Sequence, residues 1–100
     1  MNRRIFRYEI PVDDRQHTVP AGKIVHMTRH RDLISPRVEV WVEVQLETPD
    51  ISSEPVGGQV LTIIGTGHPA PEGATHVATC LDGPLVWHLY RLPVTLQVEQ

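Results

Sequence analysis

Apolar and polar side chains alternate with a period of two along most of this 100-residue chain. The clearest case is residues 37–47, which interleave two series: Val38, Val40, Val42, Val44 and Leu46 in one, and Glu39, Trp41, Glu43, Gln45 and Glu47 in the other. In an extended strand the two series point to opposite faces, whereas a helix would spread the valines around its circumference. We therefore predict a long strand whose valine face is buried and whose carboxylates project into solvent.

Six further segments have strand patterns and are separated by turn residues. They are residues 3–10, 23–30, 59–64, 75–81, 85–92 and 94–98. Asp82-Gly83-Pro84 joins two of them as a tight hairpin, because Asp-Gly favours such turns. No segment of ten or more residues has the 3.6-residue period of an amphipathic helix. The pattern predicts an all-β fold, either an antiparallel β-sandwich or a small barrel of about seven or eight short strands.

Two of these strands carry predictions about which side chains share a face. In residues 3–10, one face holds Phe6, Tyr8 and Ile10, and the other holds Arg3, Ile5, Arg7 and Glu9. In residues 23–30, uninterrupted alternation sets Ile24, His26 and Thr28 against Val25, Met27 and Arg29.

The length suits one domain, and we expect a single β domain over residues 1–100 with one thin core and no deep, enclosed active site. Cys80 is the only cysteine, which excludes a disulfide within the chain, and its apolar surroundings favour a place in the core. The basic start of the chain lacks the apolar stretch of a signal peptide, and no stretch is long and apolar enough to cross a bilayer. We therefore expect a cytoplasmic protein.

Charge is unevenly distributed along the chain, although the net charge is only −3. Residues 1–37 hold eight basic and four acidic residues, a net of +4, and residues 38–100 hold one basic and eight acidic residues, a net of −7. Two explanations stay open. The two halves can lie against each other, so that their opposite charges cancel within the fold. Alternatively they form separate patches, and a two-fold dimer then pairs Arg29 or Arg31 of one subunit with Glu39 or Glu43 of the other.

Trp41 is the most suggestive single residue for binding. Because it alternates with glutamates, its side chain is predicted on the solvent-facing side of its strand. A bulky aromatic at such a place often marks an interface. The alternative is that residues 48–58, a polar loop rich in proline and glycine, or a second sheet covers it.

Six histidines raise the question of a metal site. His26 and His30 form the only closely spaced pair, but four residues along a strand separate two side chains by about 13 Å. One ion cannot bind both unless the strand bulges, so we predict no metal site.

The loop Gly65-Thr66-Gly67-His68-Pro69 follows a strand, as phosphate-binding loops do. It lacks the Lys-Ser/Thr pair of a P-loop, and its prolines donate no backbone N–H to a phosphate. As an alternative function, these residues beside His88 could hold a small ligand such as a nucleotide.

The sequence gives little support for hydrolase catalysis or nucleic-acid binding. The serines lie at positions 35, 52 and 53, and none stands in the Gly-x-Ser-x-Gly turn of a hydrolase. Nucleic-acid binding is disfavoured by the overall acidity, and Phe6 and Tyr8 are predicted on the face opposite Arg3 and Arg7. We predict no catalytic residue and no cofactor.

Several blocks of the sequence resemble a known family. They are Arg4 to Asp14, Ile24 to Met27, Val40-Trp41, Gly65 to Pro69 and Leu85 to Leu89. Over roughly residues 3–90 the chain is similar to a small domain of unknown function found in actinobacteria and their phages; residues 48–58 and 93–100 depart from its pattern. The family has no established activity, so the resemblance assigns no residue a role. It implies a phage or prophage accessory protein.

Together these observations predict a non-enzymatic binding protein of the cytoplasm, that of the host cell if a phage encodes it, acting on a host or phage protein and able to self-associate. The predicted interface residues are Trp41, Glu39, Glu43, Arg29 and Arg31. The alternative is an oligomer that binds or sequesters a small ligand, such as a nucleotide, through Gly65, Thr66, Gly67, His68 and His88.

Overall fold

A computed structural model describes residues 2–30, 36–46 and 57–93 of the chain. These residues form seven β-strands: β1 (Asn2–Pro11), β2 (His17–Val19), β3 (Lys23–Arg29), β4 (Arg37–Leu46), β5 (Gln59–Gly65), β6 (Thr75–Asp82) and β7 (Leu85–Arg91). The strand predicted at residues 94–98 lies outside the described residues. The three-residue strand β2 was not predicted, because so short a segment has too few positions to show alternation.

The strands form two antiparallel sheets packed against each other. One has the order β1-β4-β3 and the other the order β2-β5-β7-β6. This arrangement confirms the all-β antiparallel prediction and decides for a sandwich, since the sheets do not close into a barrel. In the part of the chain that the structure describes, no helix is long and apolar enough to cross a membrane.

The core lies between the sheets and is centred on β4. Val38, Val40, Val42 and Val44 are completely buried, as their alternation predicted. Leu61, Ile63 and Leu89 of the four-stranded sheet belong to the same apolar cluster. The central place of β4 explains this burial, because its valine face meets the other sheet and strands flank it on both sides.

Strand β1 also follows its predicted alternation. Ile10 is buried, and Phe6 and Tyr8 pack against the core. These three side chains lie opposite Val38, Val42 and Val40 respectively in the β1–β4 register. Arg3 and Arg7 consequently point away from the core, on the other side of the three-stranded sheet.

Strand β3 departs from the uninterrupted alternation predicted for it. The register with β4 shifts between Ile24, which lies opposite Val42, and His26, which lies opposite Trp41. Val25 is therefore an extra residue, and a bulge of this kind reverses the facing of everything that follows. Met27 is buried in the core on the same side as Ile24, and His26 faces outward.

Candidate functional site

The outer face of the three-stranded sheet carries three aligned rows of side chains. The register sets Arg7, Trp41 and His26 side by side across the three strands. Ile5, Glu43 and Lys23 form the row on one side, and Glu9, Glu39 and Thr28 form the row on the other. Trp41 thus occupies the middle of the middle row. We refer to these nine side chains as the outer face.

Trp41 is half-buried and keeps part of its indole accessible. Its ring packs against the ring of His26, with centroids 5.4 Å apart and planes tilted by 50°. The predicted outward direction of Trp41 is therefore confirmed. The contact with His26 exists because the bulge in β3 turns that imidazole outward.

Glu39 is buried, with only 2% of its surface exposed, so the prediction that its carboxylate projects into solvent is wrong. Arg7 Nη1 donates a hydrogen bond to Glu39 Oε2 at 3.1 Å, and His30 Nε2 lies 3.6 Å from the same oxygen. These neighbours, drawn from β1 and from the end of β3, cover the carboxylate. The strand pattern gave Glu39 its direction but could not show what lies on top of it.

Glu39 belongs to a compact ion-pair cluster that we call the Glu9 cluster, made of Arg7, Glu9, His30, Arg37 and Glu39. Glu9 lies directly opposite Glu39 in the β1–β4 register, a placement that by itself is repulsive. Glu9 accepts hydrogen bonds from His30 Nε2 at 2.8 Å, Arg37 Nη1 at 2.8 Å and Arg7 Nη1 at 3.2 Å. The bond from His30 is the largest of the interactions that hold the pKa of Glu9 below its usual value, and the arginines add to it.

The Glu9 cluster also contains the atoms of a possible metal site. One ligand atom each from Glu9, His30 and Glu39 can be chosen so that all lie within 4.8 Å of one another, the only such group of three among the described residues. However, Arg7 and Arg37 already donate to these carboxylates. A cation would have to displace a guanidinium and then sit beside it. The donor set therefore fits a self-neutralising ion-pair network better than a metal centre.

The described residues predicted for the dimer interface do not all lie on the outer face. Arg29 lies opposite Val38 in the register, and its guanidinium reaches Asp82 of the other sheet at 3.4 Å. Glu39 is paired with Arg7, and Glu43 lies 3.7 Å from Arg3. Arg31 lies outside the described residues. Each described residue of the predicted ionic interface therefore has a partner in its own chain.

These pairs also bear on the uneven charge distribution. Arg3–Glu43, Arg7–Glu39 and Arg29–Asp82 each join a basic residue of positions 1–37 to an acidic residue of positions 38–100. Of the two explanations, cancellation within the fold is the one that these contacts support.

The predicted ligand residues lie on the four-stranded sheet. Thr66 and His88 do meet, with Thr66 Oγ1 at 2.8 Å from His88 Nε2. The turn is closed by a hydrogen bond from the backbone N–H of His68 to the carbonyl of Gly65, and Gly67 has φ +90°. An open depression of about 390 Å³ lies beside it, between Gly65, Thr66, His68 and the β6–β7 hairpin.

Cys80 is buried, as its apolar surroundings predicted. Burial raises the pKa of its thiol, and the charge of Asp82 raises it further. Both effects disfavour the thiolate, which is the nucleophilic form. His76, four residues upstream, is the histidine that could serve as a base for this thiol, but its Nε2 is hydrogen-bonded to Thr79.

Sequence reasoning missed the Glu9 cluster. Its members come from three separated segments, and Arg37 and His30 stand at strand ends, where a period of two no longer fixes direction. A usable signal was present in Arg7 and Glu9, which are charged, two residues apart and on the same face of one strand.

Comparison with known families adds one finding to this geometry. The family model of DUF7352, a domain of unknown function, matches residues 1–99. The chain belongs to the DUF7352 family. Membership confirms the resemblance to a family of unknown function and assigns no activity to any residue of this DUF7352 chain. Neither a curated protein nor a solved structure matches it.

Proposed function

We propose that this DUF7352 chain is a non-enzymatic binding protein that recognises a protein partner through its outer face. The observation that carries the proposal is Trp41, half-buried and packed on His26 at the centre of the three rows. Aromatic residues are enriched at interface centres, where partly buried anchors contribute much of the binding energy. Charged side chains around such an anchor serve orientation and specificity.

The surroundings of Trp41 support this reading in two ways. Trp41 stands on the central strand, and Arg7 beside it is fixed by Glu9 and Glu39, so that little side-chain freedom is lost on binding. In the row beside that of Trp41, Lys23 and Glu43 line an open depression of about 390 Å³ together with residues that include Arg3. A partner could place a polar side chain there while covering the indole.

The resemblance to phage-encoded domains gives the proposal its setting. We propose an accessory protein of a phage or prophage that acts in the host cytoplasm on a host or phage protein.

Crosslinking followed by affinity capture from host cells tests the proposal. The bait is the wild-type chain, with Trp41→Ala as the test variant and Leu81→Ala as the matched control. Leu81 is 73% exposed and lies on the other sheet, so its truncation removes exposed apolar surface away from Trp41. A specific partner should be enriched by the wild type and by Leu81→Ala, and lost with Trp41→Ala.

The captured partner is then purified and titrated against all three chains by calorimetry. Circular dichroism of Trp41→Ala establishes that the variant is folded. Equal affinity of the folded Trp41→Ala chain and the wild type would place the binding surface elsewhere and overturn the proposal.

A second candidate function is the binding of a small ligand at Gly65–His68 and His88. It is favoured by the hydrogen bond between Thr66 and His88 and by the depression beside the turn. Against a nucleotide, the described residues lining that depression include no lysine or arginine to neutralise phosphate. Thermal shift against a panel of nucleotides tests this second function, because a ligand that binds only the folded state raises the melting temperature. A rise that Thr66→Val removes would favour this function.

A further inference from the structure

Two histidines of the four-stranded sheet direct ring nitrogens at the same point. His76 Nε2 lies 2.8 Å from Thr79 Oγ1, and His88 Nδ1 lies 2.9 Å from the same hydroxyl oxygen. The two imidazole rings are 6.0 Å apart between centroids. They stand on neighbouring strands, β6 and β7, with exposed Thr79 between them. Two imidazole nitrogens aimed at one point can chelate a metal ion when both present a lone pair. Around the hydroxyl, one nitrogen accepts the O–H and the other donates an N–H, so ion binding requires the donating ring to adopt its other neutral tautomer.

A bulge in β6 creates this arrangement. The register with β7 pairs His76 with Tyr90 and Thr79 with His88, and it shifts between His76 and Ala78. Without the extra residue Val77, positions 76 and 79 would point to opposite faces, because they are an odd number of residues apart. The bulge brings them to one face. Sequence spacing alone does not reveal that His76 and His88 are neighbours, since they lie twelve positions apart and on different strands.

Each ring also has a second neighbour. Thr66 Oγ1 lies 2.8 Å from His88 Nε2. When His88 Nε2 carries the proton and donates to that hydroxyl, Nδ1 presents its lone pair toward Thr79 and His76. His76 packs edge-on against Tyr90, with centroids 5.5 Å apart and planes at 74°. Neighbours that orient an imidazole and fix its tautomer are characteristic of metal-binding histidines.

We propose that His76 Nε2 and His88 Nδ1 bind one divalent transition-metal ion, for which Zn²⁺ is the probe. Neutral imidazole suits Zn²⁺, Cu²⁺ and Ni²⁺. Rotation of the Thr79 side chain moves its hydroxyl away from the point that the ion takes, and small ring rotations bring each nitrogen to the usual distance of about 2.0–2.1 Å. Water fills the remaining positions, which leaves them open to a ligand from a partner molecule.

This site differs from the Glu9 cluster in the charge of the groups that a bound cation would displace. The groups hydrogen-bonded to His76 and His88 in the described structure are hydroxyls, whereas Arg7 and Arg37 contact the carboxylates of the Glu9 cluster. A metal ion at the histidine pair therefore displaces a neutral hydroxyl and not a guanidinium.

Calorimetric titration of the untagged full chain with ZnCl₂ tests the proposal. The wild type should bind one equivalent, and His76→Gln and His88→Gln should each abolish binding. His68→Gln is the matched control, since His68 is an exposed histidine of the nearby 65–68 turn, outside the pair. Thr79→Ala should retain binding, because the hydroxyl occupies the place of the ion. Thr66→Val should weaken binding about tenfold through loss of the group that orients His88.

Long-range ¹⁵N spectra of the histidine side chains locate the bound ion. Zn²⁺ should shift Nδ1 of His88 and Nε2 of His76 and leave the nitrogens of His30 unchanged. Shifts confined to His30 would assign Zn²⁺ to the Glu9 cluster and overturn the proposal, as would one-equivalent binding that survives in both His76→Gln and His88→Gln. Absence of binding by the wild type would overturn it as well.

Discussion

Glu39 and Glu43 are two carboxylates of one strand face whose surroundings differ sharply. Glu39 is 2% exposed and accepts a hydrogen bond from Arg7 at 3.1 Å. Glu43 is about one-third exposed, and Arg3 lies 3.7 Å away. A buried charge depends on its partners for solvation, whereas an exposed one has water.

Removing these two carboxylates should therefore have unequal effects. Glu39→Ala should lower the free energy of unfolding by about 1–3 kcal/mol, because it removes a charge-assisted hydrogen bond within the buried part of the cluster. Glu43→Ala should change it by less than about 1 kcal/mol, as expected for an exposed pair. Urea unfolding followed by circular dichroism measures both. Equal losses would mean that the burial of Glu39 has no energetic consequence.

Glu9 should make stability depend on pH in the acid range. Its pKa in the folded protein lies below its ordinary value, first because of the hydrogen bond from His30 and then because of the arginines. A lowered folded-state pKa contributes stability that is fully present above the unfolded value and is lost as the pH falls through the folded value. Urea midpoints of the wild type should therefore fall as the pH is lowered from about 5.

Glu9→Gln removes this titration and should flatten that part of the profile. Glu72→Gln, a substitution at an exposed site outside the cluster, is the control and should leave the slope as in the wild type. Identical slopes for all three proteins would contradict the role assigned to Glu9.

At the scale of elements, the turn before β3 is fixed by close approach to the central strand. Gly22 has φ +156°, and a Cβ there would clash with the carbonyl oxygen of Glu43. The Gln59 side chain of β5 donates to the carbonyls of Pro20 and Gly22 at 3.0 Å each. This turn thereby ties the three-stranded sheet to the four-stranded one.

Gly22→Ala should consequently destabilise the fold more than Gly67→Ala. Both glycines have positive φ, but nothing lies within 4 Å of a Cβ added at Gly67. Gly67→Ala should cost about 1 kcal/mol of backbone strain, and Gly22→Ala about 2–3 kcal/mol because the clash is added. Thermal and urea unfolding of the two variants give the comparison. Equal losses would show that the turn moves away from β4 without cost.

At the scale of the whole molecule, the charges of the two halves meet inside one chain. Among the described residues, Arg3, Arg7 and Arg29 of the first half pair with carboxylates of the second half on β4 and β6. A chain neutralised in this way has less need of a second copy for its charged groups. Any partner of the outer face would then be held mainly by the apolar contact of Trp41.

The association state should therefore be insensitive to salt. Raising the ionic strength from about 0.1 M to about 1 M shortens the screening length from about 10 Å to about 3 Å and would weaken an ionic dimer. Light scattering should give the same mass for the wild type at both ionic strengths. A dimer that dissociates at high salt would contradict this expectation and point to charged residues outside the described ranges, Arg31 among them.

The sequence alone determined the β class, the buried face of β4 and the outward direction of Trp41. These properties follow from a local period of two, which holds wherever a strand is regular. The inward direction of Phe6, Tyr8 and Ile10 on β1 could be predicted from the sequence for the same reason.

Only the tertiary structure decided what the outward side chains meet. The bulges at Val25 and Val77 shift the facing of β3 and β6 by one residue, and no turn residue or proline marks them in the sequence. Through them His26 reaches Trp41, and His76 reaches the face of His88. The burial of Glu39 depends on Arg7 of β1 and on His30, the residue after β3. It was therefore decided by contacts between distant segments and not by the alternation within β4.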